Sequence, residues 1–459
     1  MNQGFRHLFV WTFVLFTSLV SCDKIPFPPG GSHGQGPDGK GKSPAMVLAW
    51  NEAAVYTVMQ TQAVVPDPPI PPFIESRYYA MVNIAMHDAL NSIRSEYKTY
   101  ALHPTRDKKA NPDAAVAQAA YEVIVACFDK LNPPAMVTPQ PVKDYISQLL
   151  QQSLNTIPNS EAKTSGINLG KKAAAAILAR RANDGMANAF LPPGALPEGT
   201  VPGEYRYTPP FNIPGLPIYG LVDGTGWGNV TPFAMNAGSQ FRPGAPDDVR
   251  SEAYAKDFNE IKKLGCANCP DRTADQSDMA TFWRENSPMG WNQVGRNIVL
   301  KQNMDAWEVA RLFALLQIAE ADAYISSLEA KYHYFYWRPV SAIHLAGDDG
   351  NPNTAPDPTW EVFGFPTPPV PDYPSAHACA GGAAAELMKH FFRRDNISFG
   401  FTSTSSGTTR NFNSLSQAAR ENSLSRIYIG YHFRKACLEG EDQGRKIGKW
   451  VFNNVLQKN

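Results

Sequence analysis

Tyr373-Pro374-Ser375-Ala376-His377-Ala378 is the stretch from which the fold and the site of this chain can be predicted. Pro374 cannot continue a preceding helix, and Ser375 is a favoured N-cap residue. An Ala-rich run extends from Ala378 to Phe392, so the stretch predicts the N-terminus of a helix. Free backbone N–H groups and the positive end of the helix dipole favour an anion there. A Pro-Ser pair that opens a helix is usually only a cap, so a function requires further groups beside it.

The composition describes a large globular protein without a marked charge. The chain has 459 residues and a formal net charge of zero, which argues against electrostatic binding of nucleic acid. Hydrophobic residues make up 43% of it and aromatic residues 11%, enough for a large core in one large or two fused domains. The 39 prolines predict long loops between the regular elements.

The first 22 residues have the pattern of a signal peptide. Arg6 precedes an apolar run from Leu8 to Val20, and Ser21-Cys22 then resembles the cleavage box of a bacterial lipoprotein. Alternatives are a cleaved signal peptide with an incidental cysteine or a short membrane anchor. Residues 23–44 are rich in Gly, Pro, Ser and Lys and predict a flexible linker. We therefore expect an exported protein, lipid-anchored through Cys22 to the cell envelope, at its periplasmic face or the cell surface.

The remaining cysteines do not form a disulfide framework. Five follow Cys22, which is an odd number, and they are widely spaced. Cys266 and Cys269 form a single CxxC pair without the second pair that a zinc site needs. We interpret this segment as a loop that carries a local disulfide in an oxidising compartment.

Several segments of the chain have helical periodicity. A Pro-, Gly- and aromatic-rich connection from Leu191 to Asp247, in which a short hairpin is possible, divides the chain into two helical halves, near residues 45–235 and 236–459. The strongest predicted helix runs from Met304 to Tyr332 and is expected to lie centrally. His87-Asp88 lies on an apolar helix, where a structural pair is the simplest interpretation.

Two basic residues flank the end of that central helix. Lys331 precedes Arg338 by seven residues, or two helical turns, which would place the two on one face about 10 Å apart. Pro339 disfavours helical dihedrals at Arg338 and would turn it at the helix end. The intervening residues are mostly aromatic and would exclude water from the aliphatic parts of the Lys331 and Arg338 side chains. These aromatic residues are Tyr332, Tyr334, Phe335, Tyr336 and Trp337.

The last part of the chain adds a third cation and a second histidine. Arg426 lies near the end of a predicted helix from Ser414 to Ile429, and His432 follows it. Three cations, one hydroxyl, a helix N-terminus and two histidines suit a tetrahedral or trigonal-bipyramidal oxyanion. In the final helix, a glycine at every fourth position would let another helix approach closely: Gly440, Gly444 and Gly448.

Three blocks together resemble the signature of the superfamily of vanadium-dependent haloperoxidases and type 2 phosphatidic acid phosphatases. They are Lys331-x6-Arg338-Pro339, Pro374-Ser375-Ala376-His377 and Ser425-Arg426-x5-His432. The residues around these blocks are more similar to the bacterial haloperoxidase branch of the superfamily. The resemblance covers most of residues 50–459. It implies an all-helical fold of two helix bundles, with the site in the second half, 236–459.

The resemblance also implies roles for the site residues. His432 would be the axial ligand of vanadate, and His377 would hydrogen-bond the apical oxygen and act as acid and base. Lys331 would polarise bound hydrogen peroxide, which a halide then attacks to give a hypohalous acid equivalent. The equatorial oxygens would be held by the cations, the Ser375 hydroxyl and one backbone N–H: Lys331, Arg338, Arg426, Ser375 and Ala376.

Two other functions fit the same residues. A soluble acid phosphatase would use His432 as the nucleophile, through a phospho-histidine, and His377 as the proton donor. A lipoprotein that binds an oxyanion without catalysis is the third hypothesis.

Two positions depart from the usual pattern of the superfamily. Ala376 stands where Gly is usual, and Ala436 stands where an Asp often follows the second histidine. An Asp there would orient the histidine ring, so another acid, such as Glu439 or Asp322, would have to replace it. Val370 occupies a position that is discussed for halide preference in the family, and it leaves the halide open.

Overall fold

The computed structural model describes residues 42–65, 69–103, 106–130 and 137–459. The predicted signal peptide, Cys22 and nearly all of the predicted linker lie outside these ranges. In the described part, no helix combines the length and apolarity needed to cross a membrane.

The described residues form an almost entirely helical protein, as predicted. The one sheet among them is a hairpin of β1 (Phe399–Thr402) and β2 (Thr409–Phe412). The thirteen α-helices of the described residues are α1 (Ala45–Val64), α2 (Pro72–Ile93), α3 (Pro112–Cys127), α4 (Gln140–Asn155), α5 (Glu161–Arg181), α6 (Glu252–Leu264), α7 (Ala274–Phe282), α8 (Ser287–Val299), α9 (Ala306–Tyr334), α10 (Pro339–Leu345), α11 (Ala376–Phe392), α12 (Leu415–Tyr428) and α13 (Arg434–Asn454).

Helix α9 is the central element of the fold. It begins with a capping box, in which Asp305 accepts from the backbone of Glu308 and the Glu308 side chain accepts from Asp305. Nearly all of its residues are buried, and it packs against α1, α2, α8, α11 and α13. Because one core contains side chains from both predicted halves, such as Trp50 and Leu315, the division at residue 235 stays a prediction.

The long connection is attached to α9 by Asp322. This buried carboxylate accepts hydrogen bonds from the backbone N–H groups of Phe233, Ala234 and Met235 at 2.6–2.9 Å. Burial raises its pKa to about 6, although the three donors act in the opposite direction. Asp322 therefore holds the connection and is not the acid that replaces the missing carboxylate at Ala436.

The glycines of α13 allow the close helix contact that the sequence predicts. A Cβ added at Gly440 would overlap the carbonyl oxygen of Ser375, and one at Gly444 would overlap that of Cys379. Helix α11 therefore lies against the backbone of α13, and the N–H of Ser375 donates to the carbonyl of Ala436 at 2.9 Å. This contact fixes the N-terminus of α11, where the predicted anion site lies.

Some expectations about local structure were wrong. The described residues of the connection Leu191–Asp247 contain turns and 3₁₀ helices without a hairpin, whereas the hairpin lies at 399–412. Lys331 and Arg338 do not share two turns of one helix, because α9 ends at Tyr334 and Phe335 adopts a left-handed conformation with φ of 50°.

Two minor predictions are confirmed. Cys266 and Cys269 form a local disulfide. Asp88 is a structural residue, as expected: it lies 3.1 Å from Nδ1 of His87 and accepts hydrogen bonds from the backbone N–H groups of Tyr100, Ala101 and Leu102.

Candidate active site

The quoted stretch opens α11 as predicted. Ser375 has extended dihedrals, with φ of −70° and ψ of 112°, and its hydroxyl accepts from the N–H of Ala378 at 3.3 Å. Ala376 and His377 form the first turn, where backbone N–H groups have no partner within the helix. Because Ala376 has ordinary helical dihedrals, the methyl group at this position costs no backbone strain.

Lys331 and Arg338 converge on the loop that leads into this helix. The Nζ of Lys331 donates to the carbonyls of Pro371 and Asp372 at 2.6 and 2.8 Å, and Nε of Arg338 donates to that of Val370 at 2.7 Å. Arg338 has extended dihedrals and is the N-cap of α10, as Pro339 predicts. The carbonyls of residues 370–372 thus bind the buried side chains of Lys331 and Arg338. The two cations lie together although the chain between them is not a continuous helix.

His432 lies between Arg338 and an aspartate that the sequence analysis missed. Oδ1 of Asp372 is 2.8 Å from Nδ1 of His432 and 3.8 Å from Nη1 of Arg338. The same Nη1 lies 3.0 Å from Nε2 of the histidine. Asp372 therefore reaches the ring from the loop before α11, whereas the expected acid would come from position 436. It lies two residues before Pro374, the first residue of the second signature block, and only its contact in the structure draws attention to it.

The alternative acids proposed from the sequence do not contact His432. The Asp322 carboxylate accepts hydrogen bonds from the backbone of the long connection, and Glu439 lies near Lys435 on α13. Asp372 is completely buried, and burial raises its pKa to about 7 even though Arg338 and Lys331 favour the ionised form.

Arg426 and His377 form the opposite side of the site. Nη1 of Arg426 donates to the carbonyl of Trp283 at 2.6 Å, while its Nε is buried without a hydrogen-bond partner among the described residues. Nδ1 of His377 lies 3.0 Å from the hydroxyl of Ser287, the first residue of α8, and its Nε2 is buried and unpartnered within the same described part. Ser287 was not predicted, because α8 was not recognised in the sequence.

The two histidines are neutral in this environment. Burial lowers the pKa of His377 well below its ordinary value, and the charge of Arg426 lowers it further. Burial also lowers the pKa of His432 strongly, with added repulsion from Arg338, Lys331, Arg426 and His377. These mutual effects show that the structure brings all the predicted titratable groups together.

The site carries more positive than negative charge. Lys331, Arg338 and Arg426 are buried, and burial is the main reason why the pKa of each is lowered. Across the described ranges, the only carboxylate within ion-pair distance of these three cations is Asp372. A buried excess of cations beside a helix N-terminus requires an anion, so the geometry fits a bound oxyanion.

Comparisons with known proteins agree with this geometry. Residues 43–209 match the family model of the vanadium chloroperoxidase N-terminal domain, and residues 311–458 match that of the second helical-bundle domain of vanadium chloroperoxidase. Together these ranges cover more than half of the chain and include every predicted site residue. The vanadium chloroperoxidase of Curvularia inaequalis is 24% identical, over 84% of this chain and 78% of that protein.

Solved structures share the fold. The crystal structure described as the first bacterial vanadium-dependent iodoperoxidase superposes with a TM-score of 0.71 at 22% identity, over 90% of this chain and 97% of that one. A holo-type bacterial vanadium-dependent chloroperoxidase gives a TM-score of 0.64 at 17% identity, over 84% and 92% of the two chains. The chain belongs to the vanadium-dependent haloperoxidase family.

Proposed function

We propose that this protein is a vanadate-dependent haloperoxidase, which oxidises a halide with hydrogen peroxide to a hypohalous acid equivalent. The observation that carries the proposal is the buried cage of three cations, a capped helix N-terminus and a histidine held by a carboxylate. The family membership supports the same function.

The residues present fit vanadate. Lys331, Arg338 and Arg426 would neutralise its oxygens, and the hydroxyl of Ser375 with the N–H of Ala376 would donate to them. When bound, vanadate supplies a Lewis acid that activates peroxide. The unpaired buried Nε of Arg426 is a donor with no other acceptor among the described groups, as expected for an oxyanion contact.

The surroundings of His432 select the tautomer that a ligand needs. Nη1 of Arg338 lies 3.0 Å from Nε2 and 3.3 Å from Nδ1, so this contact does not choose between the two ring nitrogens. Oδ1 of Asp372 is 2.8 Å from Nδ1, and a carboxylate there favours the proton on Nδ1 and leaves the lone pair on Nε2. A lone pair at Nε2 is what coordination of vanadium requires, and the carboxylate raises its basicity.

His377 is placed to accept and donate a proton during the reaction. It is neutral, it lies in the first turn of α11, and its Nε2 is free to bond a bound oxygen. A neutral imidazole can accept a proton from peroxide and return it to the leaving oxygen. The side chains of Val370 and Ala376 pack against an apolar cluster that includes Trp227 and Tyr324, which limits the access of water to the same region.

The test is an assay of two activities on one preparation. Protein stripped of bound oxyanion is supplied with peroxide and chloride, bromide or iodide, with and without vanadate, and phosphomonoester hydrolysis is measured in parallel. We expect halogenation that depends on vanadate. Hydrolysis without such halogenation would favour the phosphatase alternative, and anion binding without either activity would favour the non-catalytic one.

The variant His432→Ala tests the role of His432 in the same assay. Because the substitution removes the only proposed metal ligand, we expect vanadate-dependent turnover to be abolished and vanadate affinity to fall at least about tenfold. His344, on α10, is a histidine outside the cage that bonds the carbonyl of Trp360, and His344→Ala serves as the control. Undiminished turnover of His432→Ala would remove His432 as the ligand.

A further inference from the structure

The segment 283–287, which joins α7 to α8, contacts two residues of the site. The carbonyl of Trp283 accepts from Nη1 of Arg426 at 2.6 Å, and the hydroxyl of Ser287 lies 3.0 Å from Nδ1 of His377. Trp283 and Ser287 are almost completely buried, with 1% and 2% of their surface exposed. The segment therefore contributes a hydroxyl group to the surroundings of His377, and this group has no role in the site as described so far.

Contacts with other elements fix the position of Ser287. The side chain of Asn286 donates to Oε2 of Glu75, on α2, at 2.9 Å. The preceding residue, Glu285, is buried, and its carboxylate accepts from the hydroxyl of Thr404 in the hairpin loop at 2.8 Å. Because the two residues before Ser287 are held in this way, its hydroxyl has a defined position beside the histidine.

The contact with Ser287 leaves one ring nitrogen of His377 for the oxyanion site. Nδ1 faces the hydroxyl, whereas Nε2 is buried and has no hydrogen-bond partner among the described residues. A hydroxyl can accept as well as donate, so Ser287 can accept a hydrogen bond from a proton on Nδ1. The lone pair of the neutral ring is then on Nε2, where a proton acceptor needs it.

The same hydrogen bond fits both protonation states of His377. The neutral ring with its proton on Nδ1 and the doubly protonated ring both present an N–H group at Nδ1. Only Nε2 changes when a proton passes to it from hydrogen peroxide and is later returned, so the contact with Ser287 persists throughout. Without the hydroxyl, the N–H group at Nδ1 would lack this acceptor in a buried environment, which would disfavour both states.

We propose that Ser287 is a positioning residue for His377, whose hydroxyl accepts from Nδ1–H and so keeps the lone pair on Nε2. The inference rests on the proposed function, in which His377 accepts a proton from peroxide. In this role Ser287 acts through the histidine and exchanges no proton with the substrate.

The tautomer of His377 can be observed without vanadate. Burial lowers the pKa of this histidine well below its ordinary value, so the ring is neutral at neutral pH. In protein labelled with ¹⁵N at its histidines, the chemical shift separates a protonated from an unprotonated ring nitrogen. Couplings to the ring hydrogens separate Nδ1 from Nε2, and His377→Gln identifies the signals of His377 by removing them.

We expect a protonated Nδ1 and an unprotonated Nε2 in the vanadate-free wild type. In Ser287→Ala, we expect part of the proton to move to Nε2, because Nδ1–H has lost its acceptor. A proton on Nε2 of His377 in the wild type would overturn the proposal. Identical His377 signals in the wild type and in Ser287→Ala would overturn it as well.

Turnover with vanadate measures the consequence for the reaction. We expect Ser287→Ala to lower kcat for bromide oxidation, at saturating vanadate and peroxide, by about 10-fold or more, because the tautomer that accepts a proton is disfavoured. Ser287→Thr keeps the hydroxyl and should restore most of the rate. A kcat of Ser287→Ala equal to that of the wild type would contradict the proposed role.

Ser153→Ala is the matched control. Ser153, on α4, is also completely buried, and its hydroxyl accepts from a ring N–H group, that of Trp50, at 3.1 Å. Its kcat and the ring signals of His377 should be those of the wild type. Equal losses of kcat in Ser153→Ala and Ser287→Ala would show that both act through general stability, and would overturn the proposal.

The two measurements separate failure of this inference from failure of the proposed function. Vanadate-dependent halogenation by a wild type with the proton on Nε2 would overturn the role of Ser287 and leave the proposed function intact. A wild type with the proton on Nδ1 but without such halogenation would refute the proposed function and, with it, the catalytic use of the lone pair.

Discussion

Asp372 brings a carboxylate to His432 from a position that the sequence pattern did not indicate. The superfamily pattern would place an acid at 436, where this chain has a buried Ala. The carbonyl of Ala436 instead accepts from the N–H of Ser375, and Asp372 contacts Nδ1 of His432 from the adjoining loop. A carboxylate therefore contacts the ring of His432 from the loop before α11 and not from position 436.

Asp372→Asn tests this role. The substitution keeps the size of the side chain but removes the charge that favours a proton on Nδ1, so the lone pair of His432 becomes a weaker ligand. We expect the affinity for vanadate to fall by about 10- to 100-fold. The measurement is the dissociation constant of vanadate from equilibrium titration of the stripped protein.

Asp257→Asn is the control for that substitution. Asp257 lies on α6 and accepts from the backbone N–H of Lys435, near the site but without contact to His432. Equal losses of vanadate affinity in the two variants would show that Asp372 acts through the general charge of the region and not through the histidine.

At the scale of elements, the site is built from helix ends. Lys331 lies in the last turn of α9, Arg426 in the last turn of α12, and Ser375 caps α11. Only the N-terminus of α11 offers free backbone N–H groups to an anion, whereas α9 and α12 contribute cationic side chains from their last turns, where a positive charge is favoured by the helix dipole. Their relative positions depend on the contact between α11 and α13.

Gly444→Ala tests that contact. The added methyl group would overlap the backbone carbonyl of Cys379, so α11 and α13 must move apart, which weakens the hydrogen bond from the N–H of Ser375 to the carbonyl of Ala436. We expect a loss of about 1–3 kcal/mol in the free energy of unfolding, as for other overpacked sites. Urea unfolding measures this loss, and vanadate affinity measured in parallel should fall as well.

Gly347→Ala is the matched control on the surface. A Cβ at this position would meet only the side chain of Pro356, at an ordinary contact distance of 3.8 Å. Its stability should remain near that of the wild type. A Gly444→Ala protein as stable as this control would show that the glycine row does not hold the two helices together.

Patterns among neighbouring residues predicted the helices and turns, but they did not predict which of these elements contact one another. Signals among neighbouring residues specify the cap at Ser375, the long apolar pattern of α9 and the turn before Pro339. These features could therefore be predicted from the sequence. Asp372 and Ser287 act through partners 60 and 90 positions away, and no periodicity reports such pairs. The hairpin at 399–412 was missed because two four-residue strands carry too short an alternation to be recognised.

At the scale of the whole molecule, buried acids make stability depend on pH. Glu75 has a pKa of about 8 in the folded protein, against an ordinary value of 4.5. Below pH 4.5 the carboxyl group is protonated in both the folded and the unfolded chain. Between pH 4.5 and 8 only the folded chain holds the proton, so the free energy of unfolding contributed by Glu75 decreases as the pH rises, by about 1.4 kcal/mol per pH unit.

Glu75→Gln should remove this contribution from the pH dependence. We expect the free energy of unfolding of the variant, relative to the wild type, to increase steadily from pH 5 to pH 8, because other titrating groups cancel in the difference. Urea unfolding of the vanadate-free proteins at several pH values provides the measurement. Parallel curves for Glu75→Gln and the wild type would mean that Glu75 releases its proton in the folded protein at the pH at which it does so in the unfolded chain.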